Sequence, residues 1–235
     1  MDLYTLKGYR SIMIQINCDN KLRDNVAIQI SNFEVQELAL PEGGLAAAVA
    51  VIITELGNGA GLSGMPYFDS WQKDAALVLT RRSSKLKKHA GQWAFPGGRI
   101  DGSENPEETA IRETQEEIGV RFPDSAVLGR LDDFVTRSGF LITPVLIWAG
   151  SQDSFQINPS EVESIHRIPI SEFMRKDAPM LDHNEGESAP VLRMPVGDDW
   201  IAAPTAAIIY QFREVCIFAR PTRVAHFDQP KFAWK

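Results

Sequence analysis

The stretch Gly98 to Val120, GRIDGSENPEETAIRETQEEIGV, limits what this chain can become more than any other part of it. It sets Glu113, Glu116 and Glu117 at i, i+3 and i+4. On a helix these positions share one arc, because each residue turns the helix by about 100°. Like charges so placed repel, and each pair weakens an isolated helix by a few tenths of a kcal/mol. A cation between them reverses that sign. Hard divalent ions prefer carboxylate oxygens and often bridge to phosphate, so Mg2+ or Mn2+ is the expected ion.

The same stretch marks the helix ends. Asn105 is placed as N-cap, Pro106 suits the first turn, and Glu108 completes a capping-box spacing. Gly119 is placed to end the helix in a left-handed turn. Arg112 lies four residues from both Glu108 and Glu116 and is expected to pair with one of them. Upstream, Phe95-Pro96-Gly97-Gly98 reads as a strand end entering a loop, where glycine lets backbone approach a metal or phosphate closely. Before it, Arg81, Arg82, Lys85, Lys87, Lys88 and His89 form a dense basic segment. In isolation that is a solvated loop. Leading into an acidic helix, it is placed to supply cations to a phosphorylated substrate.

These residues resemble the box of the Nudix hydrolases, G-x(5)-E-x(7)-R-E-U-x-E-E-x-G-U, with U a bulky aliphatic residue. Gly98, Glu104, Arg112, Glu113, Glu116, Glu117, Gly119 and Val120 fall at the required places, and Thr114 replaces the first U. The segment ahead of the box resembles the signature of the coenzyme A pyrophosphatases within that family. Val78-Leu79-Thr80, Arg82, Ser83, Gly91 and Phe95-Pro96-Gly97-Gly98 are in register, and Lys87 stands where that pattern has arginine. Lysine keeps the charge and loses the bidentate fork.

The rest of the chain is less informative. A length of 235 residues suits one domain with a sizeable core, and residues 45–235 are read as that domain, preceded by an extension over 1–44. Residues 22–38 are read as a helix packing on the domain, 46–54 and 75–80 as buried strands, and 57–66 as a glycine-rich loop that could extend to Lys73 as a hairpin insertion. Residues 126–134 and 141–148 read as strands, with Pro144 implying an edge or a bulge. Residues 158–163 read as a helix or turn, 176–199 as irregular, and 200–215 as a helix with Pro204 in its first turn. His183, beside Asp182, is read as a solvent-exposed loop residue rather than a ligand. The tail aromatics Phe227, Phe232 and Trp234 are expected to pack on the domain or a second subunit, with adenine stacking as the alternative.

Net charge is −7, which argues against a nucleic-acid-coating surface. Cys18 and Cys216 form no framework, so a reducing, cytoplasmic setting is expected. No apolar run approaches membrane-spanning length, and the first residues lack the basic-then-apolar layout of a secretion signal.

The resemblance implies an α/β/α sandwich with a mixed, curved sheet and the acidic helix on one face. It implies that Glu113, Glu116 and Glu117 hold the metal, with the Gly97 carbonyl as a further ligand. Relatives often take one carboxylate from outside the box and tend to carry a Glu-Val pair near Glu161-Val162, so Glu161 is preferred over Glu163; an acidic turn at a helix start is the plain alternative. Glu113 or Glu161 would take the proton from the attacking water, and Arg112 would orient the glutamates. Glu104 would support the helix and its loop. Arg82, Lys87 and His89 would contact substrate phosphate. The implied reaction is hydrolysis of coenzyme A or its thioesters to 3′,5′-ADP and the (acyl-)4′-phosphopantetheine. The rivals are another nucleoside diphosphate substrate, such as ADP-ribose, and a non-catalytic nucleotide-binding module. Nudix relatives often dimerise, and the N-terminal segment or the tail could mediate a homodimer.

Overall fold

The computed structural model describes residues 15–182 and 189–230. His183, Phe232 and Trp234 lie outside the described residues. The chain runs α1 (Asn20–Asn32), β1 (Leu45–Gly59), β2 (Tyr67–Arg82), β3 (Trp93–Ala94), β4 (Gly97–Arg99), α2 (Pro106–Ile118), β5 (Val127–Arg130), β6 (Phe134–Val135), β7 (Phe140–Gly150), β8 (Val162–Pro169), β9 (Met180–Asp182), β10 (Val191–Val196), β11 (Asp199–Ala202) and α3 (Thr205–Phe212). A π-helical turn, Arg213–Ile217, continues α3.

The main sheet is mixed. β1 runs parallel to β7, with Ala48 opposite Thr143, and antiparallel to both β2 and β4. β1 meets β2 near Ile53 and β4 near Ala48, so the two neighbours divide its length between them. β8 lies antiparallel on the far edge of β2, with Leu79 opposite His166. β5 and β6 pair antiparallel with β7.

Alternation sends each strand's residues to two buried faces. Ala48, Ala50 and Ile52 of β1, Val78 of β2, and Val145 and Ile147 of β7 pack with Ala110, Ile111 and Ile118 of α2. Val51, Ile53, Leu77, Leu79 and Leu146 face the other way, onto Leu22, Val26 and Ile30 of α1 and Ile208, Ile209 and Phe212 of α3. Both faces are covered, which is why the AAAVAVIIT run is apolar throughout. Burying each large aliphatic side chain stabilises the fold by roughly 1.5–3 kcal/mol. The helix α1, from the N-terminal 44 residues, thus shares the main core.

Four sequence expectations need correction. Pro144 is not at an edge but on the central strand β7, flanked by β1 and by β5 and β6. The register slips by one residue across it, with Arg130 opposite Val145 and Phe134 opposite Ile142, which is the bulge alternative. The Pro144 carbonyl accepts from the Leu131 N–H, beyond the end of β5 and ahead of β6, so its missing N–H falls at an interruption of that ladder. Residues 162–169 form β8 rather than a continuation of the Asn158–Glu161 turn. The stretch 176–199 is not irregular throughout: β9, β10 and β11 make a small antiparallel sheet. Residues 199–202 are strand, and the helix begins at Thr205, after Pro204. The glycine-rich loop does carry a hairpin, with β1 and β2 extending it at both ends.

Gly119 ends α2 with φ 73°, and a Cβ there would sit 2.8 Å from the Gln156 side chain and 2.9 Å from its carbonyl oxygen. Gly119→Ala is expected to cost about 1–3 kcal/mol. Urea denaturation checks this, and an unchanged midpoint would contradict it.

Candidate metal centre

The acidic helix is fixed at both ends. Asn105 Oδ1 accepts from the Glu108 N–H at 2.9 Å, and Glu108 Oε2 accepts from the Asn105 N–H at 2.8 Å, a complete capping box. At the other end the Gly119 N–H bonds the Gln115 carbonyl and the Val120 N–H bonds the Thr114 carbonyl. The chain then returns to the same end. The Gln156 N–H donates to the Ile118 carbonyl and the Asn158 N–H to the Glu117 carbonyl, each at 2.9 Å. These bonds satisfy helix carbonyls that would otherwise lack partners. A turn follows, in which Glu161 and Val162 donate back to the Asn158 carbonyl. The Glu161 carbonyl accepts from the Ser83 N–H at 2.8 Å. Glu161 is thereby clamped between the end of α2 and the start of the basic loop. Thr114 is fully buried, and its hydroxyl is satisfied by the Ile111 carbonyl at 2.7 Å.

Glu113, Glu117 and Glu161 each present a carboxylate oxygen, and these oxygens lie within 4.8 Å of one another. Glu113 and Glu117 are buried, at 8% and 4% exposure. Glu116 stands outside this cluster: its side chain is half exposed and turned to Arg112 at 3.2 Å. Gly97 meets the cluster through its N–H, which donates to the Glu117 carboxylate. At Gly98 an added Cβ would fall on the Glu113 carboxylate, so any larger residue would displace that carboxylate from its place.

Arg112 orders the carboxylates with several donors at once. Its Nε and Nη2 form a fork on the two oxygens of Glu104, at 2.9 and 3.1 Å. Nη1 reaches Glu113 Oε1 at 2.7 Å and Glu116 Oε2 at 3.2 Å, and Nη2 also reaches the Arg99 carbonyl at 3.0 Å. Glu104 accepts from the Thr109 hydroxyl as well, at 2.8 Å. The Arg112 fork and that hydroxyl hold the Glu104 carboxyl down at about 2. Helix spacing offers Arg112 a partner at Glu108 or Glu116, and Glu116 is one at 3.2 Å. Glu108 is taken by the capping box, and the strongest partner, Glu104, lies eight residues back in the loop, where helix periodicity carries no signal.

The electrostatics oppose an empty cluster. Burial, and then the Glu113 charge, push the Glu117 carboxyl up to about 8, against the pull of Arg82. Burial also raises Glu113, against the hydrogen bond from Arg112. Three close carboxylates, two of them buried, carry more negative charge than Arg112 and Arg82 offset, and such a set suits a hard divalent cation. Filling such a site would displace protons from it.

The basic residues are distributed unevenly. Arg82 acts electrostatically on Glu117, and its buried Nε has no hydrogen-bond partner among the described residues. His89 is half-buried with φ 56°, and burial and Arg82 lower its pKa. Lys87 is exposed on the turn between β2 and β3.

The raised Glu117 carboxyl gives a test with a defined sign. Its stabilising, protonated form is fully present below the unfolded carboxyl range and is lost as pH rises through about 8. A divalent ion offsets that loss. Mn2+ is therefore expected to raise the melting temperature more at about pH 8.5 than at about pH 6. Differential scanning calorimetry of the wild type beside Glu117→Gln checks this; equal rises at the two pH values, or an undiminished rise in the variant, would contradict it.

Comparison with known proteins fits this geometry. A model of the NUDIX domain matches residues 68–189, just over half of the 235-residue chain. A protein of Yersinia enterocolitica described as an uncharacterized Nudix hydrolase, NudL, is 41% identical over 103 residues, 43% of this chain and 53% of that one. Its namesake in Yersinia pestis is 35% identical over 139 residues, 58% of this chain and 70% of that one. A peroxisomal coenzyme A diphosphatase of Caenorhabditis elegans, ndx-8, is 39% identical over 109 residues, 45% of this chain and 47% of that one. This chain spans about half the length of the first of the curated relatives that it matches. The crystal structure of a MutT/nudix family protein from Enterococcus faecalis shares the fold, with TM-score 0.51 at 18% identity over 79% of this chain and 68% of that one. With the domain match over half its length and the sheet, acidic helix and glutamate cluster in place, the chain belongs to the Nudix family.

Proposed function

We propose that this chain is a divalent-metal-dependent pyrophosphohydrolase, and that its substrate is coenzyme A or an acyl-coenzyme A, cleaved to 3′,5′-ADP and (acyl-)4′-phosphopantetheine. The observation that carries the hydrolase reading is the intact cluster of Glu113, Glu117 and Glu161 beside Arg82. The substrate reading rests on the basic segment with its signature, Thr80, Arg82, Ser83 and Gly91 ahead of Phe95-Pro96-Gly97-Gly98, and on the similarity to a protein named as a coenzyme A diphosphatase. A cytoplasmic setting is the companion proposal.

The diphosphate group repels anionic nucleophiles. Mg2+ or Mn2+, when bound, would neutralise that charge and lower the pKa of water. Glu113, Glu117 and Glu161 would hold the ion, with Glu116 at the flank and the Gly97 N–H steadying the Glu117 carboxylate. Glu161 is our choice for the proton acceptor. It is less buried than Glu113 and Glu117, and its Oε1 receives the Asn158 amide at 3.4 Å, whereas Glu113 is engaged by Arg112 at 2.7 Å. Arg112 is a positioning residue, and Glu104 aims it. Arg82, with its unsatisfied Nε, would bind a phosphate oxygen, and Lys87 and His89 would extend the cationic surface along the loop.

Chromatographic separation of products from coenzyme A, with Mg2+ or Mn2+, tests the reading. The wild type is expected to form 3′,5′-ADP. Glu117→Gln is expected to lose two or more orders of magnitude, since metal-held charge contributes several kcal/mol to such transition states. ADP-ribose turning over far faster than coenzyme A would keep the chemistry and discard the substrate, and binding without turnover of any diphosphate would discard the hydrolase.

Arg112→Lys is expected to lower kcat by about 10–100-fold, as loss of an orienting partner does. It should also move the acid limb of the pH–rate profile upward, because Glu113, which must be ionised to hold the metal, loses the hydrogen bond that favours its charged form. An unmoved acid limb would contradict the positioning role.

A further inference from the structure

Each carboxylate of the cluster meets a different donor. Glu113 meets the Arg112 guanidinium, Glu117 the Gly97 N–H, and Glu161 the side-chain amide of Asn158. The third of these donors sits on a residue that also builds the turn.

Asn158 engages every polar group it has. Its N–H donates to the Glu117 carbonyl at 2.9 Å, and its carbonyl accepts from the Glu161 and Val162 N–H groups at 3.0 and 2.9 Å. Its Oδ1 accepts from the Ser160 N–H at 3.2 Å and from the Ser160 hydroxyl at 2.6 Å. A backbone N–H can only donate, so the end of the side chain facing Ser160 is the oxygen. The end facing Glu161 is then the NH2 group, which donates to Glu161 Oε1 at 3.4 Å. The contact is long, as hydrogen bonds to catalytic groups often are before substrate binds.

The backbone of Glu161 is held on both sides, its N–H by the Asn158 carbonyl and its carbonyl by the Ser83 N–H at 2.8 Å. The Ser83 hydroxyl also reaches the Pro159 carbonyl, at 3.4 Å. What these bonds leave open is the rotamer of the half-buried Glu161 side chain. The Asn158 amide addresses its carboxylate directly. One residue therefore ties the last turn of α2, through the Glu117 carbonyl, to the carboxylate end of Glu161.

The kind of donor matters as well. A guanidinium bond to a carboxylate is charge-assisted and about twice as strong as a neutral one, and it favours the charged form. A neutral amide directs the carboxylate at less cost to its readiness to take a proton. We propose that Asn158 is the positioning residue for Glu161: its amide holds Oε1 and so presents the second oxygen to the attacking water. The proposal rests on the reading of Glu161 as the proton acceptor.

Three variants of the full chain test it: Asn158→Asp, Glu161→Gln and the two together. Aspartate serves the Ser160 turn as asparagine does, and sets an acceptor against Glu161 in place of the donor. The double variant reverses the pair, because glutamine can donate to aspartate. In EDTA, Asn158→Asp is expected to melt about 2–4 °C below the wild type, the shift of one hydrogen bond in a chain of this size, and the double variant to recover most of that loss. On the diphosphate hydrolysed fastest, with Mg2+, Asn158→Asp is expected to lower kcat about tenfold or more with KM within about twofold. Added to Glu161→Gln it should lower kcat no further, because it acts through that carboxylate. An unchanged kcat in Asn158→Asp, losses of kcat that multiply in the double variant, or equal melting losses in the two backgrounds would overturn the positioning role. The acceptor reading fails differently: wild-type kcat in Glu161→Gln removes Glu161 as acceptor and the proposal with it, whatever the melting temperatures.

Discussion

Repulsion among carboxylates is the constraint on which the rest of this structure turns. Glu113, Glu117 and Glu161 bring their oxygens within 4.8 Å of one another, two of them from buried side chains. Left alone, such groups would separate or take up protons: burial first, and then the neighbouring Glu113 charge, push the Glu117 carboxyl up to about 8. What keeps them together is backbone. A complete capping box begins α2, a left-handed glycine ends it, and the returning segment at Gln156 and Asn158 bonds its last carbonyls. That segment delivers Glu161. The cluster is therefore a product of helix-end chemistry as much as of the glutamates themselves.

Arg112 makes the arrangement specific. Its fork on Glu104, its bond to Glu113 and its hold on the Arg99 carbonyl join loop, strand β4 and helix into one unit. A lysine would supply the charge without the fork. The close approach of Glu113 to Gly98 follows the same logic, because a side chain there would displace the carboxylate that Arg112 positions.

The parts of the fold legible in the sequence were those with local causes. The ends of α2 could be read from Asn105, Pro106, Glu108 and Gly119 because caps are made by neighbours. β1 and β7 could be read from apolar runs because both of their faces are covered. β8 was hidden because its inward residues include Ser164 and His166, which satisfy each other at 2.7 Å, while His166 Nδ1 is satisfied by the Ala60 carbonyl. Its hydropathy therefore does not alternate. β11 and α3 merged in the reading because WIAAPTAAII is apolar across the boundary at Pro204. At the candidate site, the glutamates on α2 were marked by spacing. The meeting of Glu161 with them depends on long-range backbone bonds that no local pattern encodes, and its selection came from family resemblance. The meeting of Arg81 and Trp93 with Asp199 was not legible, since Asp199 lies on the small sheet and more than a hundred residues further along the chain.

The three converging carboxylates of Glu113, Glu117 and Glu161 would hold a divalent cation. Anomalous X-ray diffraction from crystals soaked in Mn2+ tests it most directly. A manganese peak is expected in contact with the carboxylates of Glu113, Glu117 and Glu161, absent from Glu117→Gln crystals prepared alike. Manganese bound elsewhere, or no peak among these three residues at saturating Mn2+, would contradict it.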